Sequence, residues 1–472
     1  LFGRAQLETM IAGSGSGAMH SKEALNILDE CIRVGIKTIP EIEGFYREEY
    51  EKAKQEVPFN DFSMENLGEL VNSGLIYEIF GKYDAPKKEF VVSQELLQTA
   101  GKQTDTAIYV LGRSSGGEEC DRRVEDDYYL LEEEKALINS ICKTFSKVIL
   151  IVNSNGAIDL SWAKAEEAIQ SILYIGAPGE QGAAAVAEIL IGGVTPSGKL
   201  AFTLANTYED YPTAKHFSFH KDKPETILEY KDYGLEAAGN GSIGFEKSPV
   251  TVYAEDIYVG YRYFDSFAKT VTYPFGYGLS YADFTVANFI ANKHESLIEV
   301  TATVTNTSEI FSGKEVVQLY ISAPSGKMER PYQEYLTSVK TNKLGPGASQ
   351  VVKLTFPVEE LACYNEESAS YVIEEGKYYI RVGNSSRNTV IAAVIQVNEE
   401  VVTAIYENRL SLNEANKGKI SFLSAKGVSA VDTGTNTSSI PVVTVEQNDV
   451  TVRKSFNKNW EAVEAKEPST LK

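Results

Sequence analysis

The hydrophobic period of this 472-residue chain changes once, near residue 284, and no other feature limits its fold as strongly. Upstream, apolar runs of strand length alternate with amphipathic helical stretches. KEALNILDECIRVGI places Leu25, Ile27, Leu28 and Ile32 three and four apart, the spacing of one helix face. DTAIYVLG reads as a buried strand. LEEEKALINSICKTF reads as a helix with acidic residues in its first turn and Lys143 near its end, as the helix dipole favours. KVILIVNSN is a second buried strand, AEEAIQSILYIG leads into a third, and GEQGAAAVAEILIGG is an Ala-rich helix closed by glycine. Val- and Ile-rich strands separated by helices require a mostly parallel sheet covered on both faces. The fold class expected for residues 1–283 is therefore α/β, an open α/β sandwich.

Downstream, SLIEVTATVTNTS, KEVVQLYISAP, SQVVKLTFPV and GKYYIRVGNSS alternate apolar and polar positions, with turn signals such as Gly345-Pro346-Gly347 between them. Residues 284–400 are expected to form an antiparallel β-sandwich of immunoglobulin or fibronectin type III size. Residues 401–472 turn polar, with DTGTNTSS reading as a linker, and form an expected tail.

Charge narrows the partners. With 45 basic against 66 acidic residues the formal net charge is −21, which argues against nucleic acid and against an anionic membrane surface. It suits a protein acting on neutral molecules. Cys31, Cys120, Cys142 and Cys363 are too scattered for a metal site, and so few thiols read as free and cytoplasmic. No metal or organic cofactor is implied, and no apolar run reaches the roughly 20 residues that span a bilayer. The opening LF does not read like a natural start, so secretion stays open, as does homo-oligomerisation.

Several motifs fail on chemistry. Gly193 to Lys199 has GxxxxGK spacing, but Leu200 replaces the magnesium-binding hydroxyl and KLAFTL continues as a strand. GSGSG at 13–17 lacks dinucleotide spacing and reads as a structural turn. His20, His216, His220 and His294 pair with no GxSxG elbow, and KHFSFH lacks the acidic partner of a zinc helix. What survives is GRSSGGEECDR, residues 112–122, a glycine-softened loop with two adjacent glutamates at the carboxyl end of a buried strand. Open α/β folds bind ligands at that edge. Glycoside cleavage needs a carboxylic acid to protonate the leaving oxygen and a second carboxylate as nucleophile or base. A solvated loop is the plain alternative.

Taken together, GRSSGGEECDR, DYYLLEEEKALI, GAPGEQGAAAVAEILIGGVTPSGKLAFTL, VGYRYFD, YPFGYGLSYADF and VTNTSEIFSGKEVVQLYISAP resemble glycoside hydrolase family 3 over residues 1 to about 400. The resemblance implies a retaining β-glycosidase of β-glucosidase type, with the sandwich followed by a fibronectin-like domain. Relatives carry an RxSGEGxDR loop whose Glu is the general acid/base. Counting back from Asp121-Arg122 puts it at Glu118; the extra glycine at Gly116-Gly117 and the glutamate at 119 leave Glu119 as rival. Arg113 and Arg262 are the candidate substrate contacts, with loop bracing the competing role for Arg113, Asp121 and Arg122. The family's nucleophile is an aspartate on a (β/α)₈ barrel, and no barrel-sized segment is present. DLSW (159–162) and KHF (215–217) only mimic barrel motifs, and SFNKNWEAVEAKEPSTLK resembles a linker into a barrel of an inverted-order member. The implied partners are a β-glucoside and a barrel-bearing segment or chain, without which this chain binds sugar weakly and turns over nothing. A non-catalytic carbohydrate-binding fragment and a nucleotide-linked α/β protein are the competing classes.

Overall fold

The computed structural model describes residues 1–13, 17, 19, 21, 23–56, 87–113, 124–216, 228–235, 250–407, 416, 418–426, 428 and 440–454. They form two compact units. The first comprises Leu1–Pro196, Phe202–Tyr253 and Thr270–Tyr273; the second comprises Ser197–Ala201, Ala254–Lys269 and Pro274–Lys472.

The first unit is a parallel sheet of β1 (Thr106–Arg113), β2 (Lys147–Ser154) and β3 (Ile169–Tyr174), in that order. Phe2 extends it by a parallel bridge to Tyr109, so the opening residues do pair as a strand end. Val148, Leu150, Ile151 and Val152 are fully buried, as expected of a strand with both faces covered. One face packs on α1 (Ile27–Arg33), whose Ile27 and Cys31 meet Val110 and Ile151. Asn26 starts this helix by accepting a hydrogen bond from the Asp29 N–H, so it begins later than the apolar spacing alone indicates. Between α1 and the sheet's first strand the described residues form α2 (Pro40–Glu56) and α3 (Gln94–Gly101).

The other face carries Tyr109, Leu111 and Arg113 at period two. Against it lies α4 (Glu132–Thr144), which buries Leu137, Ile138 and Ile141. After β2 come α5 (Ser161–Ala165) and, after β3, α6 (Gly182–Leu190). The Ala-rich sequence of α6 lets Ala183, Val186 and Ala187 pack closely in the α1 cluster. KLAFTL is not a regular strand: Leu204 makes a single antiparallel bridge with Tyr273.

The second unit contains α7 (Tyr261–Ser266), and from Phe284 it is a β-sandwich. One sheet is β4 (Phe284–His294), β5 (Leu297–Asn306) and β8 (Ser349–Pro357), all antiparallel. The second joins β6 (Val316–Ser322) and β7 (Glu334–Lys340) to β11 (Gly376–Ser385), β12 (Asn388–Val397) and β14 (Val442–Val445). A third, smaller sheet holds β9 (Cys363–Asn365), β10 (Ser370–Ile373), β13 (Val401–Ile405) and β15 (Arg453–Lys454). The period-two pattern is what builds the core: Val300, Ala302 and Val304 of β5 and Val352, Leu354 and Phe356 of β8 share one cluster with Leu319, Ile380 and Ile395. Each such fully buried Val, Leu, Ile or Phe side chain stabilises the unit by about 1.5–3 kcal/mol relative to exposure. Thus β13, β14 and β15 come from the stretch whose composition reads as a polar tail.

Two motifs singled out above close on each other within this unit. The Lys199 ammonium donates to the Gly278 carbonyl at 2.7 Å and pairs with Glu315 at 2.8 Å, both partners of the ion pair being largely buried. Gly278 is glycine because a Cβ there would overlap the Gly198 carbonyl. PSGKL and PFGYGLSY therefore form one packed joint, and the Lys199 charge is committed to it.

Candidate active site at the carboxyl edge of the sheet

Glu118 and Glu119, with Asp121 and Arg122, lie outside the described residues; their setting is defined by the two ends of the chain that flank them. The upstream end is Arg113, the last residue of β1. The downstream end is the helical turn Val124–Tyr128, in which Asp127 is 0% exposed. Arg113 is only 2% exposed, and four hydrogen bonds engage its guanidinium. Nε donates to the Asp127 carbonyl at 2.9 Å, and Nη1 donates to Glu134 Oε1 at 2.6 Å and to the Gly112 carbonyl at 2.8 Å. Nη2 donates to the other oxygen of Glu134. The Asp127 carboxylate stands 3.7 Å from Nε.

Glu134 serves two elements at once. It is the third residue of α4, where its carboxylate accepts the Leu131 N–H at 2.8 Å and so caps the helix that the LEEEK stretch begins. Its remaining capacity takes the guanidinium in a two-pronged pair, the geometry for which arginine suits carboxylates. One buried charge cluster therefore fastens both flanks of residues 114–123 to α4. Gly112 precedes it as glycine because a Cβ would overlap the Ala5 side chain of the N-terminal turn.

The rest of the edge is equally fixed. Asn153, 0% exposed at the end of β2, accepts the Met10 N–H at 2.6 Å. Its amide donates to the carbonyls of Met10 and Gly176 at 2.9 and 2.7 Å, joining the N-terminal segment, β2 and the turn after β3. Asn155 adds a bond to the Ala12 carbonyl at 2.8 Å.

Beneath this edge lies a second buried carboxyl. Glu89 accepts the Arg4 N–H at 3.0 Å and the Phe90 N–H at 2.8 Å. Burial pushes its pKa up to about 7 against an ordinary 4.5, with nearby Glu134 acting in the same direction. Tyr109, fully buried, is also pushed well up, first by burial and then by Glu89 and Glu134. Because folded Glu89 holds its proton to higher pH than unfolded Glu89, stability is full below pH 4.5 and falls as pH rises to 7, by about 3 kcal/mol at most. Glu89→Gln should remove that slope. Melting temperatures of the two proteins at pH 5 and pH 8 check it: the variant's advantage appears at pH 8, and an equal pH response in both would refute it.

Arg262, the other candidate substrate contact, is on α7 of the second unit and is half-buried. Its neighbours in VGYRYF pack: Tyr261 stacks on Phe275 at 4.8 Å and accepts the Tyr335 N–H at 2.7 Å. Among the described residues no helix is long and apolar enough to cross a membrane, and no group of His, Cys, Asp and Glu is arranged to hold a metal.

An α/β sandwich with its candidate loop at the carboxyl edge, followed by a fibronectin type III-like sandwich, defines the class of chain. The glycosyl hydrolase family 3 C-terminal domain model matches residues 1–281, and the fibronectin type III-like domain model matches residues 315–386. The chain belongs to glycosyl hydrolase family 3. It is 33% identical over 369 residues to β-glucosidase A of Butyrivibrio fibrisolvens, covering 68% of this chain and 41% of that protein. It is 29% identical over 301 residues to an exo-α-(1→6)-L-arabinopyranosidase of Bifidobacterium longum, covering 63% and 35%. The solved β-glucosidase 3B of Thermotoga neapolitana in complex with α-D-glucose superposes with a TM-score of 0.70 at 32% identity, over 85% of this chain and 50% of that one. The chain thus spans half or less of the length of these proteins.

Proposed function

We propose that this chain is the non-barrel part of a retaining β-glycosidase that removes terminal β-linked glucose from short glucosides such as cellobiose. In this reading Glu118 is the general acid/base, with Glu119 the rival, and a barrel-bearing segment or chain supplies the nucleophilic carboxylate. The nucleophile attacks the anomeric carbon as the glycosidic C–O bond breaks, and Glu118 gives its proton to the departing oxygen. The Glu118 carboxylate then takes a proton from water, whose oxygen displaces the nucleophile and restores both groups. Retention requires the two carboxyls about 5–5.5 Å apart.

The observation that carries the reading is the buried Arg113–Glu134 pair, which clamps both flanks of residues 114–123 at the carboxyl edge of the sheet. An arginine held in this way braces the loop, so substrate contact falls to other groups. The sugar itself is set elsewhere: the relatives' names include both a glucosidase and an arabinopyranosidase.

Activity across two proteins tests the proposal. The chain alone is expected to release no nitrophenol from 4-nitrophenyl β-glucoside. A longer protein that adds a barrel should release it and yield β-glucose first by proton NMR. Hydrolysis by the chain alone, or α-glucose as first product, would defeat the proposal.

A further inference from the structure

The first unit holds a cleft of about 310 Å³ whose walls include Tyr129, Lys135, Ile138, Asn139, Asp159 and Trp162. This lies at the small end of ligand-sized cavities. Two aromatic rings face it, and both are held in place without a ligand. The Trp162 indole N–H donates to the Asp159 carbonyl at 3.0 Å. The Tyr129 hydroxyl accepts the Tyr208 N–H at 3.1 Å, while its ring meets Tyr128 edge-on at 5.1 Å. The Asp159 N–H donates to the Tyr128 carbonyl at 3.0 Å, which ties the two walls together.

Polar capacity in the cleft is unspent. Asp159 Oδ1 accepts the Ser161 N–H at 2.8 Å, and Oδ2 has no hydrogen bond among the described residues. The Asn139 amide has none either, leaving both a donor and an acceptor. The Lys135 ammonium meets Glu132 at 2.7 Å on the exposed helix surface, and Asp159 supplies the carboxylate charge of the cleft wall. That charge disfavours phosphates and carboxylates. A rigid aromatic face beside a carboxylate and an amide matches a ligand with a flat C–H surface rimmed by neighbouring hydroxyls.

We infer that this cleft is a binding site for a neutral pyranose, a mono- or disaccharide, with Trp162 stacking on the sugar face and Asp159 and Asn139 holding its hydroxyls. The inference does not rest on the role of Glu118, because it concerns binding by this chain without turnover.

Trp162 and Trp460 are the chain's two tryptophans, so Trp460→Phe leaves one tryptophan, in the cleft wall, whose emission is read by exciting at the red edge where tyrosine does not absorb. Titrating this variant of the full chain with cellobiose should give a saturable emission change with a Kd of about 1–10 mM, the weak affinity that one stacked face and a few hydrogen bonds sustain. Asp159→Asn keeps Oδ1 for Ser161, and Asn139→Ala alters an exposed helix position, so both should fold as the parent by circular dichroism. Each should weaken binding at least about three-fold, the loss of one hydrogen bond. The inference is overturned by a titration that never saturates, by Kd values in both variants equal to that of the parent, or by a response to adenosine but not to cellobiose.

Discussion

Replacing Glu118 by glutamine in a barrel-bearing protein is expected to lower kcat/KM for cellobiose about 10²–10⁴-fold, the span that general acid–base catalysis contributes. The glucosyl leaving group of cellobiose is a poor one and needs the proton, so the first step suffers. With 4-nitrophenyl β-glucoside the leaving group departs almost unaided, and the loss moves to the second step, where water lacks its base. Azide needs no base, so it should restore turnover of the nitrophenyl substrate and appear in the product as β-glucosyl azide. Glu119→Gln should retain activity without azide. If that variant shows the deficit and the azide rescue instead, the proton passes through Glu119. If neither does, residues 114–123 take no part in the chemistry.

The elements around this loop differ in how visible they are in the sequence. The strands 106–113 and 147–154 stand out because a strand buried on both faces has no polar positions to interrupt it. The sandwich strands stand out for the opposite reason, since one solvated face enforces alternation, as in 297–306. By contrast α2 is rich in Glu, Lys and Arg and shows only a short stripe of Ile42, Phe45 and Tyr46, so its helical period is hard to separate from that of a solvated segment. The strand 442–445 is four residues long and gains its register from β12, a contact made across more than forty residues.

The same distinction separates the site's parts. Residues 112–122 draw attention by composition, whereas Glu134 looks like one more acid in a helix's first turn. What sets it apart is Arg113, twenty-one positions away in sequence, and no local pattern encodes that meeting. Asn153 is silent for the same reason: its three partners lie on two other stretches of chain. Local periodicity specifies which faces are buried; the polar contacts that fasten a loop are long-range and appear only once the sheet is assembled.

Arg113→Met is expected to destabilise the first unit by about 3–5 kcal/mol, because it removes the charged partner of the buried Glu134 carboxylate and leaves that carboxylate in a dry interior. Glu134→Gln should cost less, since it keeps the shape, the Leu131 cap acceptor and one bond to the guanidinium, while Asp127 still faces the charge. The double change Arg113→Met with Glu134→Leu should recover part of the loss, as apolar replacements of whole buried pairs commonly do. Urea titration of the chain carrying Trp460→Phe reads this directly, because the remaining Trp162 reports the first unit rather than the sandwich. A cost below about 1 kcal/mol for Arg113→Met would place the pair among ordinary surface ion pairs and remove the clamp from the argument. If the double variant folds stably in a barrel-bearing protein, kinetics separate bracing from mere stability. A loop that has lost its anchor should lower kcat with little change in KM, and the alkaline limb of the pH–rate profile should move with the proton donor's surroundings. An unchanged profile and unchanged kcat would mean that the pair stabilises the fold and positions nothing.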